Sequence, residues 1–185
     1  LGRLTPLELS EFLGGLYGVS AENARTRATE LLKLFGLHEK RDELIEKLSR
    51  GMKQKLSIIR SIIHDPDILL MDEPLASLDP SAAKMVKDFI TFLSREKAKT
   101  IIISSHRLSL VEDVCDRVAI LHKGQILEIG TPEEIMRETK TTTLEDAYLA
   151  IIQTVEGAVM LKNGKLVEKE EQEKPEKLES EQIEG

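Results

Sequence analysis

The sequence predicts an α/β fold in which helices flank a mostly parallel sheet. Ile68-Leu69-Leu70-Met71 is an unbroken apolar run of strand length, as expected of a strand buried on both faces of a parallel sheet. Thr100-Ile101-Ile102-Ile103-Ser104 is a second buried run. Between them Asp79-Pro80 opens a helical stretch reaching about residue 97, with Asp as cap and Pro at the first helical position. Both runs end in polar residues, Asp72-Glu73-Pro74 and Ser105-His106-Arg107, and Pro74 stops strand pairing. Ligands in open α/β sheets bind beyond the carboxyl ends of the strands. Asp72, Glu73 and His106 therefore share the edge where chemistry is expected. Taken singly, the acidic pair also fits a solvated turn, and His106 fits an ordinary capping residue.

Before the first strand the chain reads as all-helical. Thr5-Pro6-Leu7-Glu8 is a capping box with Pro at the first helical position, opening a helix to about Tyr17 that stops at Gly18. Ser20 opens a second, with Leu31, Leu32, Leu34 and Phe35 as its apolar face and Gly36 at its end. A short helical piece is expected near residues 39–43. Leu48-Ser49-Arg50-Gly51-Met52 precedes a helix that runs through His64 and is ended by Asp65-Pro66. Ser49 stands at the cap position, Gly51 permits close approach to the backbone, and the first-turn amides make an anion site. A plain capped helix with glycine in its first turn is the simpler alternative.

After the second strand, Ser109-Leu110-Val111-Glu112 reads as a capping box for a short helix ending near Cys115-Asp116. Residues 117–121 and 125–129 read as strands joined by a tight turn at His122-Lys123-Gly124. Thr131-Pro132-Glu133-Glu134 repeats the Thr-Pro-x-Glu helix start, and a Thr run separates it from an amphipathic helix over 144–153. Residues 158–167 suggest a hairpin turning at Asn163-Gly164, and from Glu168 the Glu/Lys-rich tail reads as disordered. The expected division is 1–65 helical, 66–139 catalytic α/β, 140–167 extension and 168–185 tail.

The 185 residues have room for one domain, or one domain with an extension. The composition, 41% hydrophobic and 32% charged, is that of a soluble globular protein. A net charge of −7 argues against a surface built to neutralise nucleic-acid phosphates. Residues 165–185 hold eight Glu against four Lys, so −4 of that charge lies in the tail. The lone Cys115 excludes an intramolecular disulfide and suits a reducing cytosol. No apolar run approaches the roughly 20 residues needed to span a bilayer, and the opening residues do not read as a signal peptide.

Four pieces thus follow in order: Leu48-Ser49-x-Gly51 before a helix, the apolar run into Asp72-Glu73, Ser77-Leu78-Asp79, and a strand into Ser105-His106. Together they resemble the nucleotide-binding domain of ABC (ATP-binding cassette) ATPases over roughly residues 4–150. Leu48–Met52 resembles the signature motif, 68–73 the Walker B strand, 76–79 the D-loop and His106 the switch histidine. Arg50 and Met52 stand where that motif commonly has Gly and Gln. With Lys53-Gln54-Lys55-Leu56 and the Leu144-Glu145-Asp146-Ala147-Tyr148-Leu149 helix, they resemble a subfamily whose ATPase subunits serve separate membrane exporters.

The resemblance implies a set of roles. Asp72 would hold Mg²⁺ through its water shell, since Mg²⁺ keeps several waters. Glu73 would orient or deprotonate the water that attacks the γ-phosphate of ATP, and His106 would contact that phosphate. Ser49 and Gly51 would grip the γ-phosphate of a nucleotide held by a second cassette in a head-to-tail dimer, with Asp79 reaching across. Transmembrane permease subunits would be the partners, with the chain peripheral on the cytoplasmic face. No Gly-x-x-x-x-Gly-Lys-Ser/Thr occurs in the sequence, so the resemblance is to the C-terminal part of a P-loop cassette. The chain opens on Leu1, which suits an N-terminally truncated cassette that is inactive alone. Such a cassette would expose apolar surface around 68–71 and 101–103. The alternatives are a non-catalytic module lending its signature face to another cassette, or a non-transport ABC ATPase acting on nucleic acid or ribosomes.

Overall fold

A computed structural model describes residues 2–155 and the backbone of 156, 160–162 and 165–167. The chain divides into two compact units, Leu1–Val114 and Cys115–Gly185. In the first, helices α1 (Pro6–Leu16), α2 (Ala21–Leu34) and α3 (Arg50–Ile62) precede strand β1 (Ile68–Asp72); α4 (Pro80–Arg95), β2 (Thr100–Ser104) and α5 (Leu108–Val114) follow. Short 3₁₀ turns at His38–Lys40 and Ile45–Lys47 lie between α2 and α3. The first of these stands where a short helix was expected.

The local signals act as their chemistry dictates. Thr5 and Glu8 form the reciprocal capping box of α1. Ser20 caps α2 through the Asn23 amide, and Ser49 caps α3 through the Met52 amide at 3.2 Å. Gly36, at φ 66°, follows α2 in the left-handed region that glycine enters without steric penalty. α5 departs from expectation. It starts at Leu108, so Ser109 lies inside it and forms no capping box.

β1 and β2 pair in parallel, with Asp72 opposite Ser104 in the register. That register brings both polar strand ends to one edge. α3 packs on β1 and α4 on β2. Their buried residues Leu56, Ile59, Ile62, Val86 and Ile90 join Leu69 and Met71 in one core with Leu32 and Phe35 of the helical part. The expectation of burial on both strand faces is corrected. Ile68, Leu70 and Ile102 are 63%, 73% and 59% exposed, because only one face of the pair is covered by helices of its own unit.

In the second unit, β3 (Val118–His122) and β4 (Gln125–Gly130) form an antiparallel hairpin. Its turn residues Lys123 and Gly124 both have positive φ, the geometry that matches strand twist. The parallel pairing is therefore confined to β1 and β2 among the described strands. α6 (Pro132–Thr139) begins with a Thr131–Glu134 capping box and packs on β4 and on α7 (Leu144–Glu156). The backbones of β5 (Met160–Lys162) and β6 (Lys165–Val167) pair antiparallel. The expected Asn163-Gly164 turn and acidic tail lie outside the described residues. No described helix is long and apolar enough to cross a membrane.

At the amino end of β1, His64 stacks on Tyr17 with ring centroids 3.8 Å apart. Burial, then Arg27, holds its pKa below the ordinary value of 6.5, against the pull of Asp65. The unfolded chain therefore takes up a proton at His64 more readily than the folded one. The associated stability is present at neutral pH and falls as pH drops through about 6.5. Thermal melts from about pH 8 to pH 5 should show this decline, and His64→Gln should flatten it.

Candidate functional site

The site is built where β1 and β2 end. Glu73 follows β1 with a left-handed backbone, φ 45°, and its amide donates to the Ser104 carbonyl at 3.0 Å. This bond extends the ladder by one rung. A non-glycine residue in that region is uncommon and persists where the surroundings over-determine it. The Glu73 carbonyl accepts both the Ala76 amide at 3.0 Å and Gln54 Nε2 at 3.0 Å.

The Glu73 carboxylate faces the loop after β2. Its Oε1 accepts the His106 amide at 2.8 Å and lies 2.6 Å from His106 Nδ1. Because a carboxylate only accepts, Nδ1 carries the proton here, and Nε2 points away as the second functional nitrogen. The His106 side chain is 80% exposed and that of Glu73 is 29% exposed. Glu73 Oε2 accepts from the Ser105 hydroxyl at 3.5 Å. That is the outer limit of a hydrogen bond, so Oε2 is held less tightly than Oε1. Asp72 Oδ1 accepts a short hydrogen bond from the Ser104 hydroxyl.

Among the described residues no group of three or more His, Cys, Asp or Glu is placed to hold a metal ion. One carboxylate with a donor-fixed oxygen instead fits Mg²⁺, which is usually held by one or two carboxylates together with water and phosphate oxygens.

The structure brings Asp72, Glu73 and His106 together. α3 reaches this strand end through Gln54, on the Glu73 carbonyl, and lies with Gly51 against the Ser77 carbonyl. A Cβ on Gly51 would stand 3.0 Å from that oxygen. Ser49 is engaged as the cap of α3, so its hydroxyl oxygen accepts while its proton remains to donate. Asp79 caps α4, with Oδ1 accepting the Ala82 amide at 3.0 Å. This bond, with smaller help from the Ser81 amide and Lys55, holds the Asp79 carboxyl below the usual carboxylate range.

Sequence reasoning missed Ser104 and Gln54. Ser104 could have been found from strand register, as the polar residue ending the run that pairs with 68–72. Gln54 stood out only within Lys53-Gln54-Lys55-Leu56, and no local signal marks its contact with Glu73.

The chain is similar to several known proteins. Residues 3–76 match the ABC transporter family. The chain is 35% identical over 148 residues to the ABC transporter ATP-binding protein NatA of Bacillus subtilis (strain 168), covering 80% of this chain and 60% of NatA. It is 35% identical over 135 residues to the methionine import ATP-binding protein MetN 1 of Staphylococcus aureus (strain bovine RF122 / ET3-1), covering 73% of this chain and 40% of that protein. The chain thus spans less than two thirds of the length of either relative. Among solved structures, an ATP-binding subunit of an ABC transporter superposes with a TM-score of 0.73 and 29% identity, covering 82% of this chain and 64% of that one. The ATP-binding cassette MJ0796, in a dimeric post-hydrolysis state with ADP and Pi, superposes at 0.65 with 27% identity, covering 71% and 58%.

The Gly51 contact is testable. Replacing a helical glycine by alanine ordinarily gains about 1 kcal/mol. Here the new methyl meets the Ser77 backbone, so Gly51→Ala should show no such gain in urea unfolding and should shift the Ser77 and Leu78 amide resonances. Residues 3–76 are thus similar to the ABC transporter family, and the chain carries part of the fold of an ABC ATPase cassette.

Proposed function

We propose that this chain is the Walker B, signature and switch-histidine part of a transport ATPase that couples MgATP hydrolysis to movement of a solute by separate membrane subunits. The observation that carries the reading is the Glu73–His106 pair at the shared end of β1 and β2, with Asp72 beside it. Glu73 Oε2 is placed to accept a proton from a water, as a general base must be. His106, anchored to Glu73 by Nδ1, presents Nε2 to an incoming phosphate. Asp72, fixed by Ser104, is the Mg²⁺ residue, and the ion supplies charge neutralisation at the phosphates when bound. Ser49 and Gly51 offer the first turn of α3, the positive end of its dipole, to the γ-phosphate of a nucleotide on a second cassette. Asp79, already capping α4, would face that partner in a head-to-tail dimer. The dimeric state of the similar cassette MJ0796 supports this arrangement.

The direction proposed is export. It is supported by the likeness of Leu48–Met52 and of the Leu144–Leu149 helix to exporter-type subunits, whereas the MetN 1 relatives carry import in their names. Uptake measured in inverted vesicles against right-side-out vesicles decides it: ATP-dependent accumulation only in inverted vesicles is expected, and accumulation only in right-side-out vesicles would reverse the assignment.

With no phosphate loop among its 185 residues, the chain lacks the amides and Lys that cradle a nucleotide. Alone it should bind ATP weakly and show no turnover. In the assembled transporter, Glu73→Gln should lower kcat by about 100-fold or more, the scale of a lost general base. Steady turnover by the isolated chain that Glu73→Gln abolishes would overturn the half-site reading.

A further inference from the structure

The bond from Gln54 Nε2 to the Glu73 carbonyl crosses from α3 to the strand end at 3.0 Å, in a half-buried setting. Its acceptor belongs to the residue with the left-handed backbone, φ 45°. The same residue's carboxylate holds both the amide and the ring of His106. One turn before Gln54, Gly51 lies against the backbone of Ser77, which is also left-handed at φ 62°. The first two turns of α3 therefore bear directly on the segment 73–77, at a side chain and at a backbone contact. Turning Glu73 out of its present conformation would break the Gln54 bond and the His106 bonds together, since all are made by one residue.

We propose that Gln54 is a positioning residue that ties the first turns of α3, where Ser49 and Gly51 sit, to the Glu73–His106 pair. A displacement of α3 is thereby passed to the carboxylate that faces water. Gln54 touches no reacting atom; it acts through the Glu73 backbone. The inference rests on the reading of Glu73 given above as the water-activating group.

The test is amide hydrogen exchange at His106, measured by NMR on the full 185-residue chain. The His106 amide bonds Glu73 Oε1, whereas Gln54 bonds the Glu73 carbonyl. Gln54→Met keeps the length of the side chain and removes the donor. It should raise His106 exchange about fivefold, the factor that corresponds to one ordinary net hydrogen bond, with the α3 amides of Ile58 and Ile59 unchanged. Gln54→Lys keeps an N–H donor and should exchange as the native chain does. Unchanged His106 exchange in Gln54→Met overturns the proposal. So does an equal rise at Ile58 and Ile59, which marks a merely structural loosening of the helix, and so does a Lys variant as fast as the Met variant. If Gln54→Met does not fold, Gln54→Glu, of the same size and unable to donate as a carboxylate, is read in its place. ATP turnover is not read, so failure here is distinct from failure of Glu73 as base, which the Glu73→Gln assay reports.

Discussion

The structure depends on how one residue, Glu73, spends its hydrogen-bonding groups. Its amide closes the parallel ladder on Ser104, its carbonyl receives Gln54 and the turn amide of Ala76, and its carboxylate holds His106. Each direction ends on a different element: β2, α3, the following turn and the loop after β2. Pro74 then removes a donor that would otherwise compete to continue the strand. A left-handed backbone at a glutamate is tolerable because so many bonds require it.

The two ends of the parallel pair differ in kind. The carboxyl end carries directional, short-range hydrogen bonds among Asp72, Glu73, Ser104 and His106. The amino end carries ion pairs: Lys99 between Asp65 and Asp67, with Arg27 on Asp65. Lys99 is largely covered while its carboxylate partners are exposed, and pairs open to solvent on one side weaken with salt. Burial pushes the Asp65 carboxyl up, but the hydrogen bonds from Arg27 and Lys99 outweigh it and leave its pKa lowered. Between these ends the core built on Leu56, Ile59, Leu69 and Val86 supplies the apolar burial that holds the strands in register.

What could be read from the sequence follows from range. Caps, glycine stops and the Lys123-Gly124 turn are local chemistry, and Thr5, Ser20, Ser49, Asp79 and Thr131 all cap where their patterns place them. Asp72, Glu73 and His106 were legible because parallel strands deliver their carboxyl ends to one edge. Ser109 failed as a cap because Ser and Glu three apart is a weak signal when Leu108 before it already enters the helix. Gln54 and Ser104 were invisible because their roles depend on contacts 19 and 32 residues away along the chain. Burial of both strand faces was misjudged because an apolar run reports what a strand can tolerate, not which layers cover it.

The bare stripe of Ile68, Leu70 and Ile102 has a thermodynamic consequence for handling the chain. Apolar association has almost no enthalpy near room temperature and strengthens on warming, while excluded salts such as sulfate reinforce it. Self-association through that stripe would therefore grow with heat and with kosmotropic salt, and recede in the cold. Dilute chloride buffer near 4 °C would favour the dispersed chain, and its low ionic strength would also spare the salt-sensitive ion pairs at the amino end of the strands.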